Sequence, residues 1–481
     1  MPLRTAKEYK KALQDGREVY VNGERVKDVT THPAIKAAVD HSAYDYQIYD
    51  DPQFKNIALA TDENGKPISR YFKIPRNTED LLLRHKLIDL STERNGGVVT
   101  FIRAIGSDSI FASLIVASIV DKMAGTEYAK RIAKFLKHCQ ENDLSLAGAI
   151  TDVKGDRGKH PHEQADPDLY LHIVKERDDG IVVRGAKMHT TSAPYVDELI
   201  VLPTRAMTPQ DTEYAVAFAI PVATKGVKLL ARPMGSHSPS ELESPLSSKH
   251  IHLHSLTVFD DVFVPWERVF LCRETQAAGP LAHYFAIWHR FTGVSYKAPS
   301  GDQLIGAAQL IAEYNGVAEA SHIRNKIADL IAYTECIRAH AKAAALDCKM
   351  IEGLAVPNPA TINVGKYLFA RGFHDAVRNV QDIAGGLTVT IPTASDWESP
   401  QTKPYLEKYL KGVSSVSTED RFKLFYLIRD LVAGEGGGEH QVVSLHGEGS
   451  LEAQRIAAYR EYDLEKCKRL VKEWANIQSE E

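Results

Sequence analysis

The sequence predicts an α+β protein built in three parts: a helical N-terminal domain, a β domain in the middle and a helical bundle at the C-terminus. Three observations predict it. Apolar residues recur at helical spacing through residues 1–145. From 146 to 276 the texture changes to short runs rich in β-branched and aromatic residues, punctuated by Gly, Pro, Asp and Asn. From 277 to 481 long amphipathic segments return, and four in succession suggest a bundle.

In the first part, "TAKEYKKALQD" opens on a Thr cap, and "NTEDLLLRHKLIDLSTERNG" has a cap, early acids and a closing Asn-Gly. "TEYAKRIAKFLKHCQEND" repeats its apolar positions at helical spacing. In the middle part "LYLHIVKE", "GIVVRGAKMHTT", "ELIVLPT", "YAVAFAIPV" and "SLTVFDDVFVP" read as strands of a small barrel or sandwich. The last part holds the long segments that begin near Gly301, Ala320, Asn363 and Ser417, and a further helix from about 451 to 476. The run "GEGGGEH" at 434–440 reads as a loop or hinge.

A net charge of −5 leaves no excess of Lys and Arg for phosphates, so nucleic acid is not an expected partner. The charged N-terminus lacks the apolar core of a secretory signal. The longest apolar candidate, "SIFASLIVASIVDKMAG" at 109–125, is short for a membrane span and reads as a buried helix. A soluble, cytoplasmic protein is expected. The five cysteines are scattered without a CxxC, so reduced thiols are expected, with neither a disulfide framework nor a thiolate metal site.

Four stretches carry the chemistry. "TDVKGDRGKHPHEQADPD" leaves a strand and gathers Thr151, Asp152, Lys154, Gly155, Asp156, Arg157 and Gln164. Glycine admits close backbone approach, and the two cations can bind a phosphate or a ring carbonyl. It is neither a Walker loop nor GxGxxG, and by itself it also reads as a solvated loop. The second stretch places Lys187, His189, Thr190, Thr191 and Ser192 at a strand end. The third, "QDIAGGLTVTIP", ends a helix with Gln381, Gly385 and Gly386, which a simple C-cap also explains. The fourth, "LAHYFAIWHRFTGVSYK", sets His283 six residues from His289, off one helix face, with Tyr296 and Lys297 beyond. The two imidazoles there could hold a metal, serve chemistry or fill a core.

Together, the order of domains, the "TDVKGDR" strand exit and the "QDIAGG" helix end resemble flavoproteins built like acyl-CoA dehydrogenases. More narrowly, nearly the whole chain is similar to the family containing 4-hydroxyphenylacetate 3-hydroxylases and 4-hydroxybutyryl-CoA dehydratases. "PHEQADPDLYL", "DGIVVRGAKMHTT", "VFDDVFVPWERVFLC", "IGAAQLIAEYNG" and "DIAGGLTVT" resemble the dehydratase branch. The resemblance implies FAD cradled by residues 151–157 with Gln164, and with Lys187 and Thr191 facing the flavin. It also implies that Gln381, Gly385 and Gly386 reach the FAD of a neighbouring subunit, hence a homotetramer or homodimer.

The chain departs from both branches. The dehydratases hold a [4Fe–4S] cluster by three cysteines and a histidine, and those positions read Thr100, Ala104, Tyr296 and His289. One imidazole does not hold a cubane, so no cluster and no metal is expected. The acid/base positions of that branch read Gly293, Val443 and His254, while Lys297 remains. The hydroxylases' phenol-gripping Arg and Tyr fall at Ile105 and Ser109 and their histidine near Gly148, with Arg103 a short shift away.

The expectation is an FAD-dependent oxidoreductase, foremost a two-component monooxygenase hydroxylating a small aromatic substrate. A separate flavin reductase is implied, since no nicotinamide fingerprint is present. The alternatives are a cluster-free acyl-CoA dehydratase, isomerase or dehydrogenase, and an inactive flavin-binding or assembly protein. The catalytic candidates are His289, His189, Lys297 and Tyr296, with His254 behind them.

Overall fold

The computed structural model describes residues 3–234 and 240–477. Helices dominate the N-terminal part, as the caps predict. Thr5 closes a capping box with Glu8 ahead of the Ala6–Ala12 helix, and Asn77 caps Thr78–Arg94. The N-terminal part also contributes something its helical pattern did not announce. The strands Glu18–Val21 and Glu24–Arg25 join the middle sheet, the first running parallel to Val227–Pro233. A strand this short gains its stability from the sheet that receives it, so periodicity over a long window misses it.

The middle part is two packed sheets. One has six strands in the order Glu24–Arg25, Glu18–Val21, Val227–Pro233, Leu253–Pro265, Gly180–Thr191, His172–Arg177. The other has four, Val269–Cys272, Val216–Pro221, Glu198–Val201, Leu146–Ala149. The alternation along Gly180–Thr191 buries Ile181, Val183, Gly185 and Lys187 on one side. Ile181 and Val183 share a core with Leu199, Phe218 and Phe259. At Gly185 (φ +123°) a Cβ would stand 2.5 Å from the Tyr170 carbonyl oxygen, so only glycine admits this approach.

The Ala104–Ala124 helix is 21 residues long and apolar enough to cross a bilayer, but 78% of its apolar window is buried against the rest of the protein. It packs in one core with Thr275–Tyr314, Ser321–Leu346 and Pro359–Ala384. Thr275–Tyr314 is a single helix of 40 residues that runs through Pro280 and Pro299. Pro299 cannot donate to the preceding turn, which puts an irregularity beside Tyr296 and Lys297.

The glycine run is not a hinge. Glu435–His446 is helical. A Cβ on Gly437 would lie 2.8 Å from the Leu431 backbone, and one on Gly436 2.8 Å from Ser247 Cβ. Bare backbone lets this helix lie against its neighbours, and that packing outweighs poor helix propensity.

Candidate active site

Spacing on the long helix separates the two histidines first. Six residues turn about 120° around the axis. His283 Nδ1 accordingly meets Arg460 at 3.0 Å, and its Nε2 lies 3.5 Å from Glu461. His283 is a partner of the Leu451–Glu461 helix. His289 points elsewhere, stacked on Phe285 with ring centroids 5.1 Å apart and with 16% of its side chain exposed. Tyr296 follows His289 by seven residues, which returns it to the same face.

Below His289 lies a buried polar set. Glu448 sits in the turn between Glu435–His446 and Leu451–Glu461, at φ +56° between two glycines. Its Oε2 receives Lys297 Nζ at 2.8 Å and lies 3.6 Å from Lys366 Nζ. Its Oε1 accepts the Tyr296 hydroxyl. Lys297 also donates to Tyr296 Oη at 2.9 Å, and Lys366 donates to the Ser444 carbonyl at 2.9 Å. Arg290 Nε holds the Glu448 backbone carbonyl at 3.0 Å.

The charges follow from burial and pairing. Burial alone would raise the Glu448 carboxyl, but Lys297, Lys366 and His289 hold it well below the usual carboxylate range. Burial lowers Lys297 in spite of Glu448. Burial brings Lys366 down to about 7, with Glu448 opposing and Lys297 assisting. Burial and then the Glu448 charge push the Tyr296 phenol well above its ordinary value. The set can therefore pass hydrogen bonds from Lys297 through Tyr296 to Glu448, and its total charge changes near neutrality.

Gly293 makes the room. A Cβ there would stand 2.7 Å from Glu448 Cδ. Gly293→Ala is expected to displace the carboxyl from Lys297 and lower kcat while costing about 1–3 kcal/mol, as overpacking does. Urea unfolding and steady-state kinetics on one preparation measure both.

The 151–168 loop is rigidly built, yet it leaves its cations outside. Gln164 Oε1 accepts the Asp156 N–H and its Nε2 donates to the Asp156 carbonyl, each at 2.9 Å. Tyr170 donates to the Lys154 carbonyl at 2.9 Å, and Gly155 stands at φ +51°. Lys154, Asp156 and Arg157 are exposed. Thr151 is half-buried, and its carbonyl accepts the Met188 N–H.

Lys187 corrects the expectation that it faces a flavin. Its Nζ is buried and donates to Asp152 Oδ1 at 2.6 Å and to the Ile150 and Leu202 carbonyls at 2.9 Å each. An ammonium has three protons, and all are engaged, so Lys187 and Asp152 fasten the loop to the sheet. Thr191 meets His254 Nδ1 at 2.9 Å. His189 is exposed at φ +58°, where partial burial, Lys154 and His446 disfavour its charged form. His446, whose charge His189 senses, ends the Glu435–His446 helix just before the turn that carries Glu448. Gln381 Nε2 donates to the Val432 carbonyl at 2.6 Å, whereas Gly385 and Gly386 are exposed, with open space where side chains would be.

The positions tied by resemblance to a cluster do not fit one. Thr100 donates to Asp45, Ala104 carries no ligand atom, and Tyr296 is engaged with Glu448. Arg103 is no substrate clamp either. It is fully buried, lies 3.9 Å over the Tyr46 ring and pairs with Asp143 at 3.1 Å. Ile105 packs against Gly148, where a Cβ would stand 2.9 Å from it. Glu448 and Lys366 were not among the sequence candidates.

The family model for the 4-hydroxyphenylacetate 3-hydroxylase N terminal matches residues 5–271, and that for its C terminal matches 278–476. The chain is 34% identical to the 4-hydroxybutyryl-CoA dehydratase/vinylacetyl-CoA-Delta-isomerase of Clostridium aminobutyricum, over 99% of this chain and 100% of that one. It is 30% identical to the 4-hydroxyphenylacetate 3-monooxygenase oxygenase component of Thermus thermophilus, over 91% and 90%. Among solved structures, an oxygen-tolerant archaeal 4-hydroxybutyryl-CoA dehydratase from N. maritimus superposes with a TM-score of 0.94, at 33% identity, covering 99% and 96%. The oxygenase component of 4-hydroxyphenylacetate 3-monooxygenase complexed with FAD and 4-hydroxyphenylacetate gives 0.89 at 28% identity, covering 98% of each chain.

Proposed function

The chain belongs to the 4-hydroxyphenylacetate 3-hydroxylase family, and from that premise we propose that it is the FAD-dependent oxygenase component of a two-component monooxygenase, hydroxylating a small phenolic substrate. The carrying observation is the family match over residues 5–271 and 278–476, with the exposed Lys154–Arg157 loop and the buried Tyr296–Lys297–Lys366–Glu448 set as its candidate cofactor and acid/base groups. The named activities of several relatives support it.

Lys154, Arg157, Thr151 and the backbone at Gly155 would hold FAD, whose reduced ring supplies the electrons for dioxygen activation. The chain's own residues supply the rest. Lys297 and Lys366 hold Glu448 as a fixed anion beside Tyr296, and His289 takes the phenolic proton at its exposed edge. Arg157→Ala is expected to weaken FAD binding about tenfold, the loss of one charge-assisted contact. Fluorescence titration with FAD measures it, and an unchanged affinity removes the loop from the cofactor site.

Because Lys366 titrates at about 7, the set loses a positive charge as pH rises through that value. Binding of an anionic substrate is expected to weaken above it, and Lys366→Met to flatten that limb of the KM profile.

One observation favours a second reading, proton abstraction beside the carbonyl of an acyl-CoA thioester. The dehydratase of Clostridium aminobutyricum matches this chain over nearly its whole length. Purified protein given FAD, an unrelated flavin reductase, NADH and air decides between them. A catechol from a phenol panel supports hydroxylation. Conversion of a hydroxyacyl- or enoyl-CoA with no hydroxylated phenol overturns it.

The proposal includes a cytoplasmic homotetramer or homodimer in which Gly385 and Gly386 approach a neighbour's flavin. Leu470, Val471 and Trp474, exposed on the Leu464–Trp474 helix, support assembly with another copy.

A further inference from the structure

We infer that Asp108 is a positioning residue that fixes which nitrogen of His289 exchanges protons; the inference rests on the reading that His289 lines the active site. Asp108 lies in the second turn of the Ala104–Ala124 helix, and its carboxylate is fully buried. A buried carboxylate needs donors. Arg84 Nη2 at 2.6 Å and Thr292 Oγ1 at 3.0 Å both reach the same oxygen, Oδ1. Arg84 cannot swing to the other oxygen, because it also donates to the Tyr71 and Ala104 carbonyls at 3.1 Å each and to Ser107 Oγ at 2.9 Å. Oδ2 therefore has no hydrogen-bond partner among the described residues. It stands 3.8 Å from His289 Nδ1, which has none either.

Two orphaned buried atoms that face each other form a pair awaiting completion. The gap exceeds a direct hydrogen bond, so a bridging water or a small ring rotation closes it. A neutral imidazole carries one N–H. With a carboxylate oxygen opposite Nδ1, that proton belongs on Nδ1, and the lone pair is left on Nε2. A substrate O–H or C–H then loses its proton to Nε2, and its electron pair stays on the substrate. The resulting imidazolium is stabilised by the fixed charge of Asp108, which itself takes no proton. Three helices cooperate: Thr78–Arg94 supplies Arg84, Ala104–Ala124 supplies Asp108, and Thr275–Tyr314 supplies both Thr292 and His289.

Nitrogen-15 NMR of the histidine-labelled whole protein reads the tautomer without substrate, the His289 signals being assigned by their loss in His289→Gln. The neutral ring is expected to carry its proton on Nδ1. In Asp108→Asn the population is expected to move towards Nε2–H. In the same variant kcat falls about 10²-fold, the contribution of a well-placed acid/base group, while KM stays within about twofold. A wild-type ring protonated on Nε2 overturns the proposal without any variant, so a poorly folding Asp108→Asn does not shelter it. An Asp108→Asn protein with the wild-type tautomer and kcat overturns it equally. If His289→Gln keeps full turnover, the catalytic reading of His289 fails, whereas the tautomer shift still tests the pairing.

Discussion

Glu448→Ala is expected to destabilise the protein by about 3–5 kcal/mol and to abolish turnover, because it strips a buried charge set of its anion. Lys297, with its side chain 3% exposed, and Lys366, fully buried, would face each other with no carboxylate between them. Equilibrium urea unfolding measures the cost. A variant that also carries Lys297→Met and Lys366→Met is expected to recover much of the stability and none of the activity, since the destabilising species is the uncompensated cation. Equal stability of Glu448→Ala and wild type would show that water reaches the set freely. The linkage has a definite sign. Glu448 is depressed below its ordinary value of 4.5, so its contribution is present above that pH. It is lost as pH falls further, where the unfolded chain binds a proton that the folded one refuses. Wild-type stability is expected to decline below about pH 4.5 more steeply than that of Glu448→Gln.

Part of this set was legible in the sequence and part was not, for a physical reason. His289, Tyr296 and Lys297 fall in one short stretch of helix, where spacing alone relates them. Glu448 comes to Lys297 across 151 residues, and no local pattern reports such a distance. The resemblance pointed to Val443, five residues short of the carboxylate that the fold delivers. The available signal was "HGEGS", a carboxylate held between two glycines where a chain can turn tightly. Lys366 was hidden by an ordinary amphipathic pattern in which it takes a buried position. Lys187 could have been read correctly. It shares the inward parity of Ile181 and Val183, and an inward lysine must find acceptors inside the sheet. The three-part order of the fold was visible because long helices and alternating strands announce themselves. The helical glycine run was not, because its cause is the neighbouring backbone at Leu431.

His289→Gln is expected to behave in the opposite way to Glu448→Ala: turnover falls about 10²–10⁴-fold, the range for removing a general acid/base, with little change in stability. The reason lies in what His289 lacks. Its Nδ1 makes no direct hydrogen bond among the described residues, part of the ring is open to solvent, and a glutamine amide can donate towards Asp108 Oδ2 in place of Nδ1–H, so this substitution leaves no buried partner stranded. The Phe285 stack is the packing that glutamine must replace, and glutamine has nearly the reach to do so. Flavin titration on the same variant separates chemistry from cofactor loss. The loop residues Lys154 and Arg157 are untouched by the change, so FAD affinity is expected to stay at the wild-type value. A fall in stability as large as that of Glu448→Ala would return His289 to the core. Full activity with an intact fold would leave Tyr296 and Lys297 as the groups that move the proton.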